Sequence, residues 1–130
     1  MKEVHEEKKK MGFKRFFRSF GYSCAGLKYA FKFEQNMLVH ALATIVVVVA
    51  GILLKLTMIE WLLVLLVIGL VIATELINTS IEAVVDLACP EIHPLAKIAK
   101  DTASASVFVF AITALIVGIL VFVPNILELL

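Results

Sequence analysis

Apolar positions recur along the chain in two different ways. From Phe13 to Phe31 they keep helical spacing: Phe13, Phe16, Phe17, Phe20, Cys24, Leu27 and Phe31 fall at i, i+3, i+4, i+7, i+11, i+14 and i+18. At about 100° per residue these lie within roughly 60° of one line. Lys14, Arg15, Arg18, Lys28 and Lys32 occupy the remaining faces. The spacing predicts an amphipathic interfacial helix over residues 13–33, rings in the acyl boundary and bases toward lipid phosphates. Further on the apolar runs are nearly unbroken. Gln35 to Leu54, Trp61 to Thr74 with a polar continuation, and Thr102 to Leu127 contain no Asp, Glu, Lys or Arg. A hydrocarbon core of about 30 Å takes roughly 20 helical residues, so transmembrane helices are expected over about 35–55, 61–86 and 98–123.

Punctuation between these runs is sparse. Residues 1–12, MKEVHEEKKKMG, mix both charges and read as a tail closed by Gly12. Gly21 and Gly26 each cost a helix up to about 1 kcal/mol relative to alanine, which suggests close backbone packing or a bend. Glu34, Gln35 and Asn36 form a polar hinge. The LTMIE turn at residues 56–60 forces the first two spans antiparallel, and ACPEIHPLA at 88–96, with two prolines, is a loop. Helix resumes from Lys97, where Ala103, Ser104, Ala105 and Ser106 permit close helix contacts, and Pro124 ends the last span. No internal repeat divides residues 1–130, which read as one integral membrane domain.

Composition agrees: 62% of the 130 residues are hydrophobic, with mean hydropathy +1.01, too apolar for a soluble domain of this size. No secretory leader fits, since the first long apolar run starts late and is not followed by a small-residue cleavage site. The net charge of +1 conceals an asymmetry, because nine of the twelve Lys and Arg residues lie in the first 32 positions. Lys97 and Lys100 lie between the second and third spans, and only Lys55 lies between the first and second. Positive loops stay inside, so the expected topology is multi-pass in the cell membrane, N-terminus cytosolic and C-terminus outside. Anionic headgroups, rather than nucleic acid, are the natural partner of such a basic arm. Cys24 and Cys89 have no metal-like spacing and read as reduced, incidental thiols.

The informative departure is ELINTSIEAVVD at residues 75–86, which continues WLLVLLVIGLVIAT without a turn signal. On a helix Glu75, Asn78, Glu82 and Asp86 fall within roughly 80° of arc. Carboxylates at membrane depth cost a few kcal/mol or more, so they face protein or water and have a cationic partner, a side chain or a metal. Glu34 adds a carboxylate at the boundary of the first span, Lys100 and Asp101 a charged pair at that of the third. Two carboxylates with an amide or backbone oxygen suit magnesium, a hard cation that bridges nucleotide phosphates. Lys100 and Arg15 can hold phosphate oxygens. Glu75, about 16 Å deeper than Asp86, can take a proton from a hydroxyl arriving from the bilayer. Plainer readings exist for several of these residues. Asp86 can be a solvated helix end, Asn78 interhelical glue, His40 a hydrogen-bonded interhelical group and His93 a loop residue. No GxxxxGK(S/T), GxGxxG, HRD or DFG pattern occurs.

GFKRFFRSFGYSCAGLKYAFKFEQN, ATELINTSIEAVVDL and EIHPLAKIAKDTASASV resemble the prokaryotic diacylglycerol kinase family, small three-span membrane kinases that act as homotrimers. The resemblance covers about residues 12–123, and ExxNxxxEAVVD followed by AKD is its specific part. HPLAKIAKD and His40 are similar to the Gram-positive branch, whose members phosphorylate undecaprenol. The resemblance implies Glu75 as catalytic base and Glu34 with Glu82 as metal ligands. It implies ATP contacts at Arg15, Tyr22, Glu34, Asn78, Glu82, Glu91, Ile92, His93, Lys100 and Asp101. Lipid substrate is implied to border Arg15, Ser19, Phe20, Gly21, Tyr22, Ser23, Cys24, Lys28, Tyr29, Ala30, Phe31 and Glu75, in sites completed between neighbouring subunits. Lys97 stands where some members have glycine, and either favours phosphates or is a solvated surface lysine.

The expectation is therefore an all-α, homotrimeric, magnesium- and ATP-dependent undecaprenol kinase acting at the cytosolic membrane face. Diacylglycerol as substrate is the near rival. An ion-conducting oligomer or a membrane-held scaffold are rivals of another class.

Overall fold

The computed structural model describes residues 12–130, so the expected tail lies almost wholly outside the described residues. Four helices follow one another: α1 (Phe13–Phe33), α2 (Gln35–Leu53), α3 (Met58–Ala88) and α4 (Pro94–Leu127). No strand occurs among the described residues. Helices α2, α3 and α4 are each long and apolar enough to cross a membrane. Their lengths differ: at 1.5 Å per residue α2 barely spans the hydrocarbon, whereas α3 and α4 extend to about 45–50 Å and must project beyond it.

The helix limits follow from local chemistry. α2 ends in a Schellman arrangement, in which Leu56 N donates to Gly51 O at 3.1 Å and Lys55 N to Ile52 O at 3.2 Å. Lys55 takes the left-handed φ of 56° that this motif requires. α3 begins at Met58, inside the expected LTMIE turn, because Thr57 and Glu60 form a capping box: Glu60 Oε2 accepts from Thr57 N at 2.8 Å. α4 begins at Pro94, earlier than Lys97, since proline suits the first helical turn and His93 Nδ1 accepts from Leu95 N at 3.1 Å. The connecting loop is correspondingly short.

Pro124 does not end α4, which runs through to Leu127. Just past the proline, Asn125 Nδ2 donates to Val121 O at 2.7 Å and to Glu60 Oε1 at 2.8 Å, tying the end of α4 to the start of α3. Beside this clasp lies the apolar core of Leu56, Val64 and Val121, with Trp61, Val117 and Phe122 packed against it. Gly51 belongs to the same end: a Cβ there would lie 2.8 Å from the Trp61 indole. Gly21 and Gly26 differ, because a Cβ at either would meet nothing within 4 Å, so close packing within this chain is not their reason.

α3 and α4 form the main antiparallel pair, with α2 packed on α3 and α1 reaching both α2 and α3. Ala30 is the buried residue of α1; its phenylalanines and bases are exposed.

Candidate functional site

The acidic stripe lies on α3, at the end away from the Trp61 core. A hydrocarbon core of about 30 Å entered near Met58 is left near Ile77. Measured so along the helix, Glu75 falls two residues before that limit, and Asn78, Glu82 and Asp86 after it. α3 is thus longer than a hydrocarbon core requires, and its polar residues gather toward the surplus.

Among the described residues Glu75 and Asn78 are the buried polar ones, with Glu75 only 1% exposed. α1, α2 and α3 meet at this end of the bundle, and Glu34, Asn36 and His40, from the α1–α2 junction onward, lie within electrostatic reach of Glu75. Neither Glu75 oxygen has a hydrogen-bond partner, and neither has Asn78 Oδ1. A buried polar atom without a partner costs about 1–3 kcal/mol, more when charged. Around the Glu75 carboxylate stand His40 from α2, its Nε2 3.8 Å from Oε2, and Glu34, Asn36 and Glu82 within electrostatic reach. Asn36 approaches without closing a hydrogen bond of ordinary geometry to either oxygen.

The stripe continues down α3. Asn78 Nδ2 is 3.5 Å from Glu82 Oε1. One turn further Asp86 accepts an ion pair from Lys100 on α4, and Asp101 is paired with Lys97 on its own helix. A polar seam thus runs from the buried carboxylate to the α3–α4 loop, where Glu91, Ile92 and His93 are exposed. His93 is engaged as the cap of α4 rather than free in its loop.

The structure brings together Glu34, His40, Glu75, Asn78 and Glu82, drawn from two helices and the junction before them. Arg15 and Tyr22 lie on exposed α1. Of the other expected lipid contacts there, Ser19 and Ser23 donate to Arg15 O and Ser19 O within the helix, and Phe20 stacks edge-on with Phe16. Gly21, Cys24, Lys28, Tyr29 and Phe31 are exposed and only Ala30 is buried. Sequence reasoning did not join His40 to Glu75: the spacing of one helix says nothing of what a second helix turns toward it.

Among the described residues no group of three His, Cys, Asp or Glu side chains is arranged to hold a metal ion. Glu34, Glu82 and the unpartnered Asn78 Oδ1 offer oxygen donors alone. That set suits a hard cation which keeps several waters and binds nucleotide phosphates rather than an all-protein cage.

An open, mostly aliphatic groove of about 470 Å³ lies between α2 and α4, floored by Ile68, Val71 and Ile72 of α3. His40 lines it on one side, and Ala111, Ala114 and Gly118 line it on the other.

A family model for prokaryotic diacylglycerol kinase matches residues 21–122. The chain belongs to that family. An undecaprenol kinase of Bacillus subtilis is 43% identical over 111 residues, covering 85% of this chain and 90% of the relative. A diacylglycerol kinase of Helicobacter pylori is 43% identical over 107 residues, covering 82% and 83%. The diacylglycerol kinase of Escherichia coli is 36% identical over 105 residues, covering 81% and 86%. A membrane lipid kinase family with a nucleotide donor accounts for both features of the molecule, the apolar helices and the polar seam that leaves them.

Proposed function

We propose that the chain is an ATP-dependent lipid kinase of the cell membrane, which transfers the γ-phosphoryl group to the terminal hydroxyl of undecaprenol at the cytosolic face. One observation carries this reading: Glu75 is buried in α3 with neither oxygen hydrogen-bonded, as a base awaiting a hydroxyl proton would be. General-base catalysis contributes about 10²–10⁴-fold. Lipid delivers the alcohol to this level, and water delivers the nucleotide to the seam.

Glu34 and Glu82, with Asn78, are the residues to hold magnesium, which when bound neutralises charge on the β- and γ-phosphates. Arg15, Tyr22, Glu91, Ile92, His93, Lys100 and Asp101 are assigned to ATP. The α1 surface from Arg15 to Phe31 is assigned to the interface and the incoming lipid, as an amphipathic helix whose rings enter the acyl boundary. The groove beside His40 offers apolar wall for the chain of the alcohol. A homotrimer would bring α1 and the loop of neighbouring subunits to each stripe, consistent with the exposure of Arg15, Tyr22 and Ile92 in the single chain. The basic N-terminal arm supports an N-terminus in the cytosol and a C-terminus outside.

Undecaprenol as acceptor is supported by the name of the Bacillus subtilis relative and by its coverage of nearly the full length of both chains. Diacylglycerol is the second reading, favoured by the names of the Helicobacter and Escherichia relatives. Purified protein given radiolabelled ATP, magnesium and a total bacterial lipid extract should yield a labelled polyprenyl phosphate. Labelled phosphatidic acid as the main product would move the assignment to diacylglycerol, and no labelled lipid would end it.

A further inference from the structure

Glu75 needs one oxygen for the substrate proton, and a freely turning carboxylate offers neither in a fixed direction. His40 stands on the facing helix with Nε2 3.8 Å from Oε2, beyond hydrogen-bond length by roughly 1 Å. Catalytic hydrogen bonds are often long in substrate-free proteins and tighten in the complex. The imidazole is about one-fifth exposed and also lines the groove between α2 and α4, so it borders both the carboxylate and the apolar wall. Its own helix turn is fixed, since Thr44 Oγ1 donates to His40 O at 2.8 Å. The other groups facing Glu75 are Glu34 from the hinge and Glu82 from α3, which repel its charge, and the exposed Asn36 from the first turn of α2.

We propose that His40 is the positioning residue of this site: its Nε2–H donates to Glu75 Oε2, which turns Oε1 toward the lipid hydroxyl. As the hydroxyl oxygen bonds to the γ-phosphorus, its proton passes to Oε1 and the bond from γ-phosphorus to the departing ADP oxygen breaks. His40 keeps its own proton throughout. This rests on Glu75 being the base.

The test is steady-state kinetics of the full-length protein with undecaprenol and ATP. His40→Leu should lower kcat about 10- to 100-fold, the range expected when a reacting group is misplaced by about 1 Å, while KM for ATP and lipid stay near the wild-type values. His40→Gln, which retains a side-chain N–H at similar reach, should recover most of that loss. If the leucine variant does not fold, His40→Phe keeps a ring without a donor and serves the same comparison. Unchanged kcat in the donor-less variant, or no recovery with glutamine, overturns the role. Glu75→Gln separates this from the wider reading. If it stays active, the base assignment falls; if it is dead while His40→Leu turns over normally, only the positioning role falls.

Discussion

Lys100 of α4 is ion-paired with Asp86 of α3, so the cation assigned to ATP phosphates has a carboxylate partner within the chain. Both side chains are substantially exposed, and solvent screening leaves pairs of that kind weak. The pair is therefore weak enough for a phosphate to replace it. Lys100→Ala should leave the unfolding midpoint in detergent almost unchanged and raise KM for ATP about tenfold, the loss of one charge-assisted contact. A variant that unfolds readily yet uses ATP normally would make Lys100 a structural tie between α3 and α4.

Glu75 should trade stability for activity. Its carboxylate is buried without a hydrogen-bond partner, with the His40 ring no nearer than 3.8 Å, and a buried charge so weakly compensated is costly. Glu75→Gln keeps the shape and removes the charge. The variant should unfold at a temperature equal to or above the wild type, while kcat for lipid phosphorylation drops about 10²–10⁴-fold, the usual contribution of a general base. Differential scanning and a radiolabel assay on one preparation read both. A fall in stability together with full activity would show that the carboxylate serves folding and not proton transfer.

Much of this was legible in the sequence. Uninterrupted apolar runs marked three spans, and the i, i+3, i+7, i+11 spacing from Glu75 to Asp86 placed four polar residues on one face. Limits set by caps were less legible. The expected turn at residues 56–60 shrank because Thr57 and Glu60 cap each other, and α4 passed Pro124 with the amide of Asn125 at hand to bond both Val121 and Glu60. Contacts between helices could not be read from spacing at all. His40 faces Glu75 and Lys100 faces Asp86 because of how α2 and α4 pack on α3, a relation that no single helix encodes.

The groove between α2 and α4 offers a clean test of where the lipid chain lies. Gly118 lines it, and a Cβ there would meet nothing within 4 Å, so a larger side chain can enter without a backbone clash. Gly118→Leu should fold, should leave KM for ATP unaltered, and should raise KM for the polyprenol several-fold by occupying apolar volume that the substrate would use. One or two methylenes in an apolar site change affinity by about 1–3 kcal/mol. Unchanged lipid kinetics would place the chain elsewhere, and loss of the oligomer would show that a neighbouring subunit fills the groove.

Gly51 makes the opposite prediction. Helix propensity alone would favour alanine by about 1 kcal/mol, but a Cβ at this position would lie 2.8 Å from Trp61 Cη2, 3.0 Å from Cζ2 and 3.1 Å from Leu56 Cδ1. The rigid indole packs against the Leu56, Val64 and Val121 core and cannot turn aside as a flexible chain end would. Overpacking of this kind costs about 1–3 kcal/mol and outweighs the propensity gain. Gly51→Ala should therefore lower the unfolding midpoint, and because Trp61 is the single tryptophan, its fluorescence should report the displaced ring directly. Shrinking the ring with Trp61→Leu should make the same alanine nearly neutral, a coupling that a double-mutant cycle reads as the clash itself. If alanine costs as much in the Trp61→Leu background as in the wild type, the indole is not what requires the glycine.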